Sequence, residues 1–189
     1  MRKIDIPFGQ PILDVEEIEA VKKVLEGPIL AHGPVCTEFE NAFSGFTESK
    51  FAISVASGTA ALHLCLYASN IGPGDEVIVP AMSHVATAHA VEYCGAKPVF
   101  VDVDPKSGNI SPESISNSLT ERTKAIMVVH FLGLPCEMDA INRIASSIGA
   151  LVFEDAALAL GAKYGNKMSG NLATAGCFSF YPIKHVTSI

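Results

Sequence analysis

Three side chains towards the end of the chain could do chemistry together. Lys184 and Ser179 belong to the run FSFYPIK at residues 178–184, and Asp155 ends the run LVFED at residues 151–155. A lysine amine can attack an aldehyde to form a Schiff base, and a carboxylate that ends a buried strand needs a cationic partner. An acid after one strand, with a hydroxyl and an amine after the next, therefore suits a ligand that has an aldehyde and a cationic ring nitrogen.

Each of these residues also has a simpler interpretation. A lysine in a short segment is most often a solvated surface residue, because burying an unpaired ammonium is costly. Glu154 and Asp155 are neighbours on a predicted strand and point to opposite faces, so only one of them can address a given site. In the simpler interpretation, one acid caps the next turn and the other meets solvent.

A further element could bind a phosphate. Residues 57–60, SGTA, follow a predicted strand over residues 51–55 and lead into a predicted helix over residues 60–68. Glycine allows close approach of the backbone, and the free N–H groups and positive dipole end of a helix start attract a phosphate. A plain capped helix start is the alternative, since Ser and Thr favour such positions.

These candidates lie in an alternation of apolar runs and amphipathic stretches. Further helices are predicted for residues 14–26, 83–94, 111–119 and 137–148, and further strands for residues 76–79, 98–103, 124–129 and 151–154, with a connecting loop after residue 28. The strands are apolar on both faces, which predicts a mostly parallel sheet covered by helices on both sides. The predicted class is doubly wound α/β, in which ligands bind at the carboxyl ends of strands.

Composition limits the location and the partners. The net charge of -7 and the pI near 5.3 provide no basic surface, so we expect neither nucleic acid nor an anionic membrane as partner. Five scattered cysteines without a C-x-x-C pair argue against a zinc site or a disulfide scaffold and suit a reducing cytosol. Residues 1–7 have no apolar signal-peptide core, and no run approaches the roughly 18 residues of a membrane span. We expect a cytoplasmic protein.

Five ordered stretches resemble the DegT/DnrJ/EryC1/StrS family of pyridoxal-phosphate aminotransferases, which act on nucleotide-linked keto-sugars. They are SGTAALHL at 57–64, GPGDEVIVP at 72–80, GAKPVFVDVD at 95–104, EDAA at 154–157 and GCFSFYPIK at 176–184. PAMSHVAT at 80–87 and GLPCEMD at 133–139 lie between them, and the similarity runs from about residue 6 to residue 189. The resemblance implies the large domain of the fold type I transferases.

The resemblance also assigns catalytic roles. Lys184 matches the lysine that holds the cofactor as a Schiff base and later moves a proton between substrate and cofactor. Asp155 matches the aspartate that pairs with the pyridinium nitrogen and keeps the ring able to accept electron density.

Other positions match residues that hold the cofactor. Ser179 matches the hydroxyl on the cofactor phosphate, and the turn at Gly58, Thr59 and Ala60 matches the backbone donors to the same phosphate. His84 stands where the family usually has an aromatic ring over the pyridine, and Ala157 is expected against the other ring face. A structural or solvated role at a helix start is the alternative for the histidine.

Two departures from the family pattern stand out. Leu158 occupies a position where the family commonly has a glutamine that can bond the ring oxygen, so that contact is in doubt. The family also continues into a smaller C-terminal domain that this sequence lacks. We therefore expect residues 1–189 to be the N-terminal part of a large cofactor-binding domain, with a helical segment over 1–50 and an α/β sheet core over 51–189. Alone, such a piece should expose apolar surface and associate.

The leading hypothesis is amino transfer, with glutamate as donor, to a keto group of a nucleotide-diphospho-sugar, by a homodimer. A sugar dehydratase of the same family is the first alternative, although its lysine is typically replaced by histidine, whereas Lys184 is retained here and is followed by His185. The second alternative is an inactive aminotransferase half that acts as a binding or assembly module.

Overall fold

The computed structural model describes residues 11–188 of the chain. Its α-helices are α1 Val15–Leu25, α2 Pro34–Thr47, α3 Gly58–Ala68, α4 Val85–Tyr93, α5 Pro112–Asn117 and α6 Met138–Ile148. Its strands are β1 Glu76–Pro80, β2 Lys97–Val101, β3 Thr123–Val129, β4 Leu151–Asp155, β5 Lys163–Tyr164, β6 Lys167–Met168 and β7 Ala175–Cys177. A 3-10 turn covers Phe131–Gly133. The interpretation of residues 1–7 as lacking a leader falls outside the described residues.

A five-stranded sheet forms the centre of the fold, in the order β2-β1-β3-β4-β7. All of its neighbouring strands pair in parallel, as the doubly apolar strands predict. The carboxyl ends therefore share one edge, and Asp155 at the end of β4 lies opposite Cys177 at the end of β7. A separate antiparallel pair, β5 and β6, lies in the connection between these two strands.

Helices cover both faces of the sheet, as the predicted fold class requires. On one face, Leu62 and Leu66 of α3 and Val91 of α4 pack against β1, β3 and β4. On the other face, Ile115 of α5 and Ile141 of α6 pack against the same central strands. These apolar side chains are nearly or fully buried, and their removal from water is the main stabilising contribution to the sheet.

The predicted strand over residues 51–55 is wrong for this structure. The segment is extended but pairs with no strand among residues 11–188. Phe51 is 74% exposed and Ile53 is 81% exposed, so the apolar alternation that suggested a strand meets solvent. A strand needs a neighbouring ladder to satisfy its N–H and C=O groups, and the described part of the chain supplies none at this position.

The N-terminal segment contains two helices where one helix and a loop were predicted. α1 begins after the capping box of Asp14 and Glu17, close to the predicted boundary. α2 was missed, although Pro34 at its first turn and Phe39, Phe43 and Phe46 at helical spacing indicate it.

Apolar side chains remain exposed along α1, as expected of a partial domain; they are Val15, Ile18, Val21 and Leu25. The tendency to associate stays a prediction. Among the described helices, none combines the length and the apolar character that crossing a bilayer requires.

Candidate active site

Asp155 lies in a polar cradle at the carboxyl edge of the sheet. Its side chain is 6% exposed. The Thr87 hydroxyl of α4 donates to its Oδ2 at 2.9 Å, and the Ala157 amide donates to its Oδ1 at 3.2 Å. Burial raises the pKa of Asp155, while those two hydrogen bonds and the nearby charge of Lys184 oppose the rise. A cation placed beside this carboxyl would therefore favour its ionised form.

Glu154 points to the opposite face of β4, as the strand geometry predicts. It is fully buried, with His130 at 2.9 Å and the amides of Gly170 and Leu172 each at 2.7 Å. The simpler interpretation of the acidic pair is thus half right. Asp155 does cap the turn that follows the strand, but Glu154 does not meet solvent.

The predicted phosphate turn lies against the predicted phosphate hydroxyl. A Cβ placed on Gly58 would lie 3.1 Å from the Phe178 carbonyl oxygen and 3.2 Å from the Ser179 Cβ. Ser57 caps α3 by accepting from the Ala60 amide at 3.1 Å, and the first-turn amides of Gly58 and Thr59 have no carbonyl four residues back within the helix. The structure therefore brings an open helix start and a hydroxyl to one place.

A second contact between α3 and the strand β7 is made by Cys65 and Cys177. Their sulfur atoms are 3.5 Å apart, which places α3 in direct contact with the strand that leads to Ser179.

Lys184 lies in a turn beyond β7. Its amide donates to the Tyr181 carbonyl at 2.8 Å, and its side chain is half-buried. It is close enough to Asp155 for its charge to lower the pKa of that carboxyl. Lys184 is thus only partly exposed, and its role at the site stays a prediction.

The ring-face roles of His84 and Ala157 stay predictions, and the structure shows their local surroundings. His84 is exposed at the N-terminus of α4, and its Nδ1 accepts from the Ala86 amide at 3.2 Å, so it caps the helix. Ala157 is partly buried immediately after Asp155. Leu158 is partly buried and apolar at the position of the family glutamine, so it offers no hydrogen bond there.

Two features of the site were not predicted from the sequence. Thr87 holds Asp155 from 68 positions away in the chain, a distance at which no local pattern predicts a contact. The second feature is an aromatic cluster in which Phe43 of α2 contacts Phe178 and Phe180 edge to face, with ring centroids 5.0 and 5.5 Å away. These two rings flank Ser179, so α2 packs against the segment that carries the hydroxyl and the lysine.

The fold and the site define a class, the α/β domains in which an acid ends a parallel strand and a hydroxyl after the next strand lies against a helix start. The sequence model described as the DegT/DnrJ/EryC1/StrS aminotransferase family matches residues 11–189. The chain belongs to this family.

Individual relatives agree with this membership. An uncharacterised protein of Methanocaldococcus jannaschii is 45% identical over 188 residues, which cover 100% of this chain and 49% of the relative. The crystal structure of an aminotransferase from Psychrobacter cryohalolentis is 41% identical with a TM-score of 0.92, covering 96% of this chain and 47% of that one.

A third relative, from Streptococcus pneumoniae, is proposed to be a sugar aminotransferase and has been solved in pyridoxal-phosphate, pyridoxamine-phosphate and apo forms. Its pyridoxal-phosphate form is 31% identical with a TM-score of 0.93, covering 97% of this chain and 51% of that one. The chain thus has the fold of the large domain of the fold type I transferases and spans about half the length of these relatives.

Proposed function

We propose that the protein containing this chain is a pyridoxal-phosphate aminotransferase that moves an amino group from glutamate to a keto group of a nucleotide-diphospho-sugar. Membership of the aminotransferase family and the likeness to a cofactor-bound relative support the proposal. The observation that supports it is the contact of Gly58 with Ser179, which brings the start of α3 to the segment that follows β7, beside the strand β4 that ends in the buried Asp155.

The residues at this edge fit the chemical groups of pyridoxal phosphate. A buried carboxylate whose pKa is raised by burial gains from a cationic ring nitrogen. Open amides at the start of α3, beside the Ser179 hydroxyl, suit a phosphate. The Lys184 amine suits the aldehyde, and the bound cofactor would supply an electron sink for the substrate carbanion.

Each residue then has a defined task. Asp155, fixed by Thr87 and the Ala157 amide, would pair with the ring nitrogen. Ser179 and the first turn of α3 orient the phosphate end. Lys184 would anchor the cofactor and would hold and return a proton at its Nζ atom. We propose that His84 covers one ring face and Ala157 the other.

The same proposal includes a homodimer and a cytoplasmic location. The apolar side chains that α1 exposes in the single chain, Val15, Ile18 and Leu25 among them, would gain stability from being covered. Pairing of two copies is one way to cover them.

The test uses the intact protein, purified with pyridoxal phosphate. We expect visible absorbance from bound cofactor and glutamate-dependent amination of a nucleotide keto-sugar. Lys184→Ala should bind the cofactor without the lysine-linked absorbance and should lose turnover. Lys167→Ala removes an exposed lysine from the β6 strand and serves as the matched control, with both properties retained.

Three outcomes would contradict the proposal in different ways. Unchanged turnover in Lys184→Ala would remove the lysine from the mechanism. A deoxygenated product without amino transfer would identify the sugar dehydratase. A parent protein that stays colourless with added cofactor would favour the inactive binding module.

A further inference from the structure

Glu154 is the most deeply buried acid near the candidate site, and the proposed reaction does not use it. It has no exposed surface. Its Oε2 lies 2.9 Å from His130 Nε2 and 2.7 Å from the Gly170 amide, and its Oε1 lies 2.7 Å from the Leu172 amide. Three donors thus converge on one carboxylate at the end of β4.

The group at this position must be a pure acceptor. His130 Nδ1 accepts from the Cys136 amide at 3.2 Å, so the ring proton is on Nε2 and is donated to Glu154. The other two donors are backbone amides, which cannot reverse their role. A glutamine at position 154 would place its NH₂ group against at least one N–H and leave that buried donor unpaired.

The turn that Glu154 holds packs tightly against the strand leading to the site. A Cβ placed on Gly176 of β7 would lie 2.2 Å from the Gly170 Cα, so the two backbones are in contact. A Cβ placed on Gly170 would lie 2.3 and 2.4 Å from ring atoms of Phe178. The position of the Gly170 turn therefore limits where β7 and Phe178 can lie.

Phe178 in turn leads to the phosphate end of the candidate site. Its carbonyl oxygen and the Ser179 Cβ lie against Gly58 at the start of α3. We propose that Glu154 is a positioning residue that fixes Ser179 against the Gly58 turn by holding the Gly170 turn in place. This inference rests on the proposed function, because it concerns how tightly the same site holds its cofactor.

The first test compares Glu154→Gln with Glu76→Gln in the intact protein. Glu76 is also a buried carboxylate, 2% exposed, but it lies at the amino-terminal end of β1, where Thr120, Arg122 and Lys97 bond it. Both variants should lower the melting temperature. Only Glu154→Gln should weaken pyridoxal-phosphate binding, by about tenfold or more for the loss of a charge-assisted hydrogen bond.

Two readouts on the folded protein separate positioning from loss of stability. One is the dissociation constant of pyridoxal phosphate, and the other is the visible circular dichroism of the bound cofactor. Glu76→Gln should leave the dissociation constant within about twofold of the parent and the dichroism unchanged. Parent-like values of both in Glu154→Gln would overturn the inference.

The second test changes Gly170, which lies between Glu154 and Phe178 in this series of contacts. It tests the inference if Glu154→Gln does not fold. Gly170→Ala drives a methyl into Phe178, whereas Gly74→Ala adds the same methyl where nothing lies within 4 Å. Both glycines have positive φ, +90° and +94°, so the backbone strain is matched. We expect weaker cofactor binding in Gly170→Ala alone, and equal binding in the two variants would refute the inference. Failure of the parent to bind cofactor would instead refute the proposed function.

Discussion

The substitution Thr87→Val tests whether the buried Asp155 carboxyl is ionised in the folded protein, by removing the hydroxyl that donates to it. Thr87 is 1% exposed, and its Oγ1 lies 2.9 Å from Asp155 Oδ2 and 2.6 Å from Ser83 Oγ. Valine has nearly the shape of threonine and removes both hydrogen bonds, of which the one to Asp155 has an ionisable acceptor. A bond to a charged acceptor contributes about 1.5–3 kcal/mol, against about 0.5–1.5 kcal/mol for a bond between neutral groups.

The expected cost depends on pH. Burial raises the pKa of Asp155 and the Thr87 bond opposes the rise, so the variant should have a still higher pKa at Asp155. At low pH the carboxyl is protonated in both proteins, and only a neutral bond is lost. As the pH rises through the two folded-state pKa values, the free energy of unfolding falls further in the variant. The difference between the proteins should grow by about 1 kcal/mol or more.

Thr47→Val is the matched control. Thr47 is 2% exposed, and its hydroxyl bonds only neutral partners, the Phe43 carbonyl at 2.9 Å and the Ser49 hydroxyl at 3.0 Å. Denaturant unfolding of the cofactor-free intact protein should give a cost of about 1 kcal/mol for Thr47→Val at every pH. A Thr87→Val cost that is equally small and equally independent of pH would refute the assignment of charge to Asp155.

Two further predictions concern buried acids at opposite ends of the sheet. Asp155→Asn can keep both hydrogen bonds, because the asparagine side chain can accept from the Ala157 amide and donate to the Thr87 hydroxyl. The cofactor-free parent loses stability as the pH rises through the raised pKa of Asp155, about 1.4 kcal/mol per pKa unit, and the variant should not. The melting temperature of the variant near neutral pH should therefore exceed that of the parent while turnover falls, and a lower melting temperature would contradict this. At Glu76, hydrogen bonds from Thr120 and Arg122 lower the pKa to about 2, so the stability that the ionised carboxylate contributes is lost as the pH falls from the ordinary glutamate pKa toward that value. Stability should therefore fall less steeply with pH over this range in Glu76→Gln, as followed by circular dichroism. An identical pH dependence in the two proteins would contradict the ionic contacts of Glu76.

Local patterns predicted the elements that carry the site. The apolar run that ends in Glu154 and Asp155 became β4, and the run of residues 76–79 became β1, because doubly apolar strands need cover on both faces. The alternation of side chains along β4 correctly separated the two acids. The ordered motifs supplied the roles of Lys184 and Ser179, which remain predictions.

The contacts that position the site were not predictable from local pattern. Thr87 reaches Asp155 across 68 positions, and the three donors on Glu154 come from two separate places in the chain, His130 and the turn at Gly170 and Leu172. Contacts between residues so far apart in sequence depend on how the helices pack against the sheet. The extended segment at residues 51–55 shows the converse, since its local alternation is that of a strand but no described strand pairs with it.

The most direct test of the central claim is to find the lysine that holds the cofactor. Borohydride reduction of the intact protein with pyridoxal phosphate, followed by proteolysis and mass spectrometry, should place a pyridoxyl group on Lys184 in the peptide that contains FSFYPIK. The Lys167→Ala control should give the same labelled peptide. A label on another lysine, or no label in a protein saturated with cofactor, would contradict the account.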